Sequence, residues 1–305
     1  MSKRKPRASI YSPRFWGSWV VVGLGWLLAR LPLPWLMGFG QGLGAAAYQV
    51  ARRRRQITEV NLGLCFPSLS AGERQQLAKR SFVHAGVTVA ELTVAWLNPR
   101  RPLDHRFTVI GVEHLTAAQA EGRGVILLGG HFSCMDIVSQ AIARRVKIDV
   151  MYRENKNPVW EWLQLQGRRH YFDAVIERDD TRTTLRRIKA GHTIWYAPDQ
   201  DYGRRHSVFA PFFGVPAASI TATARLARLN HSPVVFMSQH RDLESLTWEI
   251  RFHPPLTDFP SGDDVADAAR INGVIEAAIR RHPEQYLWAH RRFKTRPPGE
   301  PGPYR

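Results

Sequence analysis

Cysteine is nearly absent from this 305-residue chain. Cys65 and Cys134 are the only two, which excludes a disulfide scaffold and a Cys₄ zinc module and fits a reducing compartment. Acidic residues are scarce as well: 26 Asp and Glu stand against 43 Lys and Arg, a formal net charge of +17. Such an imbalance expects anionic partners, whether nucleic acid, acidic lipid, phosphorylated substrates or an acidic protein. The sequence has no G-x-x-x-x-G-K-S/T, no G-x-S-x-G and no H-E-x-x-H, so P-loop, serine-hydrolase and zincin chemistry lose their main support. Internal repeats and low-complexity blocks are missing too. With 44% apolar residues, disorder and collagen-like repetition are excluded, and the length suits one large α/β domain or two ordinary ones.

Acid is lacking altogether before Glu59, whereas Lys3, Arg4, Lys5, Arg7, Arg14, Arg30 and Arg52 to Arg55 are all basic. Between these charges lies an apolar run from Phe15 to Ala29, then Arg30, Pro32 and Pro34, then a second apolar stretch from Trp35 to Ala51. A hydrocarbon span needs about 20 apolar residues, and residues 15–37 reach that only if Arg30 and two prolines are tolerated. A cleaved signal is disfavoured, because the run ends in Arg and Pro rather than in small residues. Trp16, Trp19, Trp26 and Trp35 suit a headgroup region, and Gly23, Gly25, Gly38, Gly40, Gly42 and Gly44 are poor soluble-helix residues. Membrane attachment is therefore expected for residues 1–55. Basic flanks on both sides favour a hairpin or shallow interfacial helix bending near Arg30, with a single transmembrane helix as the alternative.

Beyond Arg55 the pattern is that of an α/β domain, expected over 56–296, with an irregular Pro- and Gly-rich tail over 297–305. A helix over 70–97 opens on Ser70 with Glu73 three positions on, a capping-box spacing. On it His84, Thr88 and Glu91 form a polar stripe, read as solvated or structural. Strands are predicted at 107–110, 124–128, 146–152, 192–196, 234–238 and 246–252, and helices at 134–144, 158–170, 180–190 and 217–230. The alternation predicts a mostly mixed central sheet covered by helices. A last helix begins near Ser261 as cap, with Asp263 and Asp264 in its first turn and Arg280, Arg281 and His282 in its last.

The segment Gly124-Val-Ile-Leu-Leu-Gly-Gly-His131-Phe-Ser-Cys-Met-Asp136 carries chemistry. An apolar strand runs into two glycines, then a His with an Asp five residues later. In one ideal helix those positions lie about 140° apart, so the side chains meet only if His131 is on the turn before a helix and Asp136 in its first turns. An imidazole oriented by a carboxylate is a general base suited to activating a hydroxyl. Alone, an H-x₄-D spacing is a weak signal.

Longer words accompany it: Tyr152-Arg153-x₃-Asn157-Pro158, Trp195-Tyr-Ala-Pro-Asp199-Gln-Asp201-Tyr-Gly203, Phe209-Ala-Pro-Phe-Phe213 and the run Glu284 to Pro297. With them, nearly the whole chain resembles the late acyltransferases of lipid A biosynthesis, lauroyl and myristoyl transferases within the glycerolipid acyltransferase superfamily. The resemblance implies acyl transfer from acyl carrier protein, with no other cofactor and no metal, to a hydroxyl of a 3-hydroxyacyl chain on a lipid A precursor. It makes His131 the base and Asp136 its acidic partner, and it puts Arg168 and Asp199 in the active site. Arg153, Arg168, Asp199 and Asp201 are accordingly candidates for substrate binding. Gly130 departs from the Asn that many superfamily members carry before the His. The implied location is the cytoplasmic face of the bacterial inner membrane, where acyl carrier protein is found.

The chemistry is consistent with this expectation. A thioester already holds a good leaving group, so a base for the alcohol and donors for the oxyanion suffice, and main-chain N–H groups at a helix start are candidates for the latter. Ser133 and Cys134 suggest a covalent acyl-enzyme, but nothing in the spacing forces either into reach of His131. Two other classes compete. A nucleic-acid binder fits the charge but not its uneven placement, and no known module is present. A metal-dependent hydrolase lacks a second His at ligand spacing.

Overall fold

The computed structural model describes residues 9–304. The basic residues Lys3, Arg4, Lys5 and Arg7 lie outside the described residues.

Four helices come first: α1 (Trp16–Leu28), α2 (Leu33–Val50), α3 (Arg52–Cys65) and α4 (Ala71–Leu97). Strands and helices then alternate through β1 (Phe107–Ile110), α5 (Val112–Ala120), β2 (Val125–Leu128), α6 (Ser139–Ala143), β3 (Asp149–Tyr152), α7 (Pro158–Arg169), β4 (Val175–Glu177), α8 (Thr181–Lys189) and β5 (Thr193–Tyr196). A hairpin of β6 (Ser207–Phe212) and β7 (Val215–Ile220) follows, then α9 (Ala222–Asn230), β8 (Val234–Asp242), β9 (Thr247–Phe252) and α10 (Asp264–Arg281).

Seven strands form one sheet in the order β1-β9-β8-β2-β5-β3-β4. Neighbours run parallel except β8 and β9, so the sheet is mixed, as the sequence predicts. The central strands β2 and β5 are buried at every position, which is why they read as unbroken apolar runs. Their side chains alternate between two cores. Val125 and Leu127 join one with Val235 and Ile250, while Ile126 and Leu128 join the other with Phe236 and Ile194.

Local rules account for the best-marked ends. Glu73 N–H donates to Ser70 Oγ at 3.2 Å and Ser70 N–H donates to Glu73 Oε2 at 2.7 Å, which completes the capping box that starts α4. At α10 the cap is Asp263 rather than Ser261. Its carboxylate accepts from Val265 N–H and Ala266 N–H, and Ser261 instead braces Asp263. The helix predicted over 217–230 begins only at Ala222, because residues 215–220 pair with β6. Pro211 and Pro216 face each other across that ladder, which a two-stranded hairpin tolerates.

The N-terminal glycines have two different reasons. Gly40 and Gly44 of α2 cross Gly86 of α4 so closely that a Cβ on Gly86 would run into the Gly40 carbonyl and the Gly44 backbone. Gly38 and Gly42 face open space. Leu33, Leu36 and Met37 enter one core and Tyr48 the other, so the inner face of this segment is part of the folded body. Its outer face is different: Trp16, Val20, Leu24, Trp26, Trp35 and Phe39 are exposed.

The chain breaks at Arg30 and Pro32, as expected. Arg101 and Asn98 donate to the Ala29 carbonyl, Arg101 also to that of Leu31, and the Arg30 guanidinium lies over the Trp26 ring. Among the described residues no helix is long and apolar enough to cross a membrane, so the transmembrane alternative is not borne out. The break leaves α1 only 13 residues, or about 20 Å at 1.5 Å per residue, and α2, at 18 residues, is diluted by Gln41, Gln49 and its glycines.

Candidate active site

The site stands on the carboxyl ends of the parallel strands, where such sheets place their ligands. In the order β2-β5-β3-β4, the residues that follow those ends bring His131, Asp199, Arg153 and Arg178 side by side. Strand register explains the central pair. Leu128 lies opposite Tyr196, and Gly129 N–H continues the ladder to the Tyr196 carbonyl at 2.9 Å. Three residues further along each chain, His131 meets Asp199.

The contact is twofold. His131 Nδ1 lies 2.5 Å from Asp199 Oδ1, and the His131 main-chain N–H donates to Oδ2 at 2.9 Å. Asp199 is 1% exposed and also receives a hydrogen bond from Tyr286. Burial alone would raise its pKa, but the charge of His131 and these hydrogen bonds prevail and hold it down at about 2. For His131, burial disfavours the charged ring. The Asp199 carboxylate outweighs it through charge and hydrogen bond, so the imidazole titrates above its ordinary value.

Asp136 does something else. Arg168 donates to it through Nε at 3.1 Å and Nη2 at 3.4 Å, and Trp96 Nε1 donates at 3.2 Å. The reason lies in the local fold: the helix expected over 134–144 forms only at Ser139–Ala143, so Asp136 sits on a turn before it. The carboxylate that orients the His131 ring therefore comes from Asp199, a correction to the geometry deduced from the H-x₄-D spacing.

Gly129 and Gly130 are required for close packing rather than for a left-handed turn. Neither takes a positive φ; instead the Trp195 ring packs over Gly129 and the Phe132 ring over Gly130, so a Cβ at either would collide. Main-chain N–H groups of the turn are already engaged. That of His131 meets Asp199, that of Phe132 the Gly130 carbonyl, and that of Ser133 the Gln285 carbonyl at 2.8 Å.

His131 borders two cavities. The larger, about 700 Å³, is ringed by Arg153, Arg168, Arg178 and Arg225 over an apolar floor that includes Leu185, Trp195 and Leu226. The smaller, about 260 Å³, lies between α3, α4 and residues 286–289 and is lined by Phe82, Ala85, Met135 and Trp288. Thr58 and Ser133 are among its lining residues, and their buried hydroxyls have no hydrogen-bond partner.

Of the predicted residues, His131, Arg153 and Arg168 line the larger cavity, while Asp199 backs His131. Asp201 does not join them. Its carboxylate accepts from Gly203 N–H, Thr295 N–H and the Thr295 hydroxyl, tying this loop to the C-terminal segment at 4% exposure. Sequence reasoning missed Trp96, Arg178, Arg225 and Tyr286. Only Tyr286 had a signal, its place in the long word from Glu284. Among the described residues no group of three or more His, Cys, Asp or Glu could hold a metal ion.

Residues 3–295 match the family described as bacterial lipid A biosynthesis acyltransferase. The chain is 37% identical over 297 residues, 97% of each chain, to the lipid A biosynthesis lauroyltransferase of Escherichia coli K12. To the palmitoleoyltransferase of that strain it is 37% identical, over 96% of this chain and 95% of the relative. To the myristoyltransferase it is 29% identical, over 97% and 93%. Among solved structures, the 1-acyl-sn-glycerophosphate acyltransferase PlsC of Thermotoga maritima aligns at TM-score 0.38 and 16% identity, over 76% of this chain and 98% of that one.

Proposed function

The chain belongs to the bacterial lipid A biosynthesis acyltransferase family and is an acyltransferase, and from that premise we propose that it moves a fatty acyl chain, lauroyl in the first instance, from acyl carrier protein to a hydroxyl of a 3-hydroxyacyl chain on a lipid A precursor. The observation that carries the reading is His131, oriented by Asp199 at 2.5 Å, at the boundary of two cavities of which only the larger is rimmed by arginines.

With Nδ1 donating to Asp199, Nε2 is the free acceptor. It takes the proton of the acceptor hydroxyl as that oxygen bonds to the thioester carbon. Collapse of the tetrahedral oxyanion breaks the carbon–sulfur bond, and the departing thiolate recovers the proton from the imidazolium. Because the N–H groups of residues 131–133 are occupied, the Arg168 guanidinium beside His131 supplies positive charge to the oxyanion, with Asp136 and Trp96 fixing its orientation. The basic larger cavity suits the phosphates of the acceptor, and the smaller apolar one suits a single acyl chain.

A covalent intermediate has little support. Ser133 Oγ has no hydrogen-bond partner to activate it, and burial pushes the Cys134 thiol far above its ordinary range. The exposed apolar face of α1 and α2, with Arg52 to Arg55 opening α3, supports interfacial attachment to the cytoplasmic face of the inner membrane. Leu24→Asp with Leu27→Asp should lower co-sedimentation with anionic vesicles, and unchanged binding would refute that attachment.

The decisive experiment is purified His131→Ala, assayed with lauroyl, palmitoleoyl and myristoyl acyl carrier protein and a phosphorylated lipid A precursor. The expected loss of turnover is about 10³-fold or more, from the 10²–10⁴-fold that a positioned base contributes. Near-wild-type transfer by a folded His131→Ala would sink the assignment.

A further inference from the structure

Behind the His131 turn lies a buried ion pair that the chemistry above does not use. The Glu91 and Arg241 side chains are 2% and 1% exposed and meet as a fork, Nε to Oε1 at 2.8 Å and Nη2 to Oε2 at 2.5 Å. Trp248 Nε1 donates to Glu91 Oε1 at 2.6 Å, and Arg241 Nη1 donates to the His84 carbonyl at 2.8 Å. Desolvating two charges gains little stability over an apolar core, so a pair of this kind calls for another reason.

Its connections suggest one. β8 extends past the end of β2, since Phe236 lies opposite Leu128 and six further residues of the strand follow it. Arg241 is thereby carried alongside the His131 turn, where Nη2 donates to Thr88 Oγ1 at 3.2 Å. A hydroxyl has one proton to give. The Thr88 oxygen lies 2.9 Å from the His84 carbonyl and 2.6 Å from that of Ser133, so the shorter bond to Ser133 takes it. Ser133 N–H donates to the Gln285 carbonyl at 2.8 Å. The Gln285 side chain returns to Arg241, accepting from its N–H at 2.9 Å and donating to its carbonyl at 2.8 Å. The circuit closes: Ser133, Thr88, Arg241, Gln285 and Ser133 again, with both main-chain groups of Ser133 held. The next turn of chain is tied to the same segment, because Leu287 N–H donates to the His131 carbonyl at 3.1 Å.

We propose that Thr88 is a positioning residue for acyl transfer, through which the Glu91–Arg241 pair fixes the main chain of the His131 turn at Ser133. The role is distinct from that of Asp199, which orients the ring rather than the backbone that carries it. The inference rests on His131 being the base, so His131→Ala is assayed alongside.

Thr88→Val keeps the shape of the side chain and deletes the donor to Ser133. Small displacements of a catalytic group cost up to about 10²-fold, so kcat should fall about tenfold or more while KM for both substrates stays within about twofold. Thr88→Ser should restore kcat to within about twofold of wild type. Arg241→Lys keeps the charge but cannot make the fork to both Glu91 and Thr88. It should lower kcat likewise, and joined to Thr88→Val it should cost no more than the worse single variant, because both cut one circuit. If Thr88→Val does not fold, Thr88→Ala is judged by the same criteria. An unchanged kcat, a KM that rises in step with the loss, failure of Ser to rescue, or multiplicative losses in the double variant would each overturn the proposal. Active His131→Ala would instead overturn the catalytic reading on which it rests.

Discussion

The turn after β2 and the loop after β5 each place a carboxylate behind a residue that lines the larger cavity, Arg168 for Asp136 and His131 for Asp199, so the two acids differ in what they hold. Asp136, five residues from His131 in sequence, grips Arg168 and Trp96; Asp199, 68 residues away, grips His131. Parallel strands in register bring residues beyond their ends together as surely as neighbouring positions on a helix. In this fold that adjacency decides which acid orients the base. The closer acid serves Arg168, the cation that lines the larger cavity.

The largest effect that would break this contrast is expected at Asp199. Asp199→Asn keeps the shape but removes the charge that offsets the burial of His131, and kcat should fall about 10²-fold or more. A pH profile sharpens the prediction. Since His131 titrates above the ordinary value near 6.5, kcat/KM in the wild type should rise with pH through that raised value and be lost below it, where the ring is protonated. Removing the Asp199 charge leaves burial as the dominant influence, so the acid limb should move down. A limb that stays in place would show that another group titrates there.

Asp136→Asn should come second, at about tenfold to 10²-fold in kcat, with the acid limb of the profile unmoved. The amide still accepts from Arg168 but no longer balances its charge, so orientation of the guanidinium loosens while His131 and Asp199 remain paired. If Asp136→Asn shifted the limb as far as Asp199→Asn does, the division of labour between the two acids would be wrong.

Much of the fold was legible because it follows local rules. β2 and β5 announce themselves as apolar runs, the Ser70–Glu73 box starts α4, and Arg30 with Pro32 breaks the N-terminal helices. What escaped depends on partners distant in sequence. Residues 217–220 open an Ala-containing run that continues into α9 and so read as its first turn, but pairing with β6 makes them a strand. Glu91 looked solvated or structural beside His84 and Thr88, since its counter-ion Arg241 is 150 residues further on. The site divides in the same way. His131 follows a strand and two glycines and stood out at once, whereas its pairing with Asp199 requires the register of β2 against β5.

The smallest effect should come from the next strand end along the sheet. Arg153 follows β3, which pairs with β5, and its exposed side chain lines the larger cavity without touching His131 or either acid. A charge in that position meets the substrate before and during the reaction alike, so it strengthens ground state and transition state equally. Arg153→Ala should therefore raise KM for the phosphorylated acceptor about fivefold to tenfold, the worth of one partly solvated charge-assisted hydrogen bond, and leave kcat within about twofold. Exposure to water keeps the effect modest, and added salt should shrink it further. Steady-state kinetics with acceptors that carry and lack phosphate would check the assignment. A KM effect that persisted on the dephosphorylated acceptor would mean that Arg153 contacts something other than phosphate, and a fall in kcat alone would move it from binding into the catalytic group with Arg168.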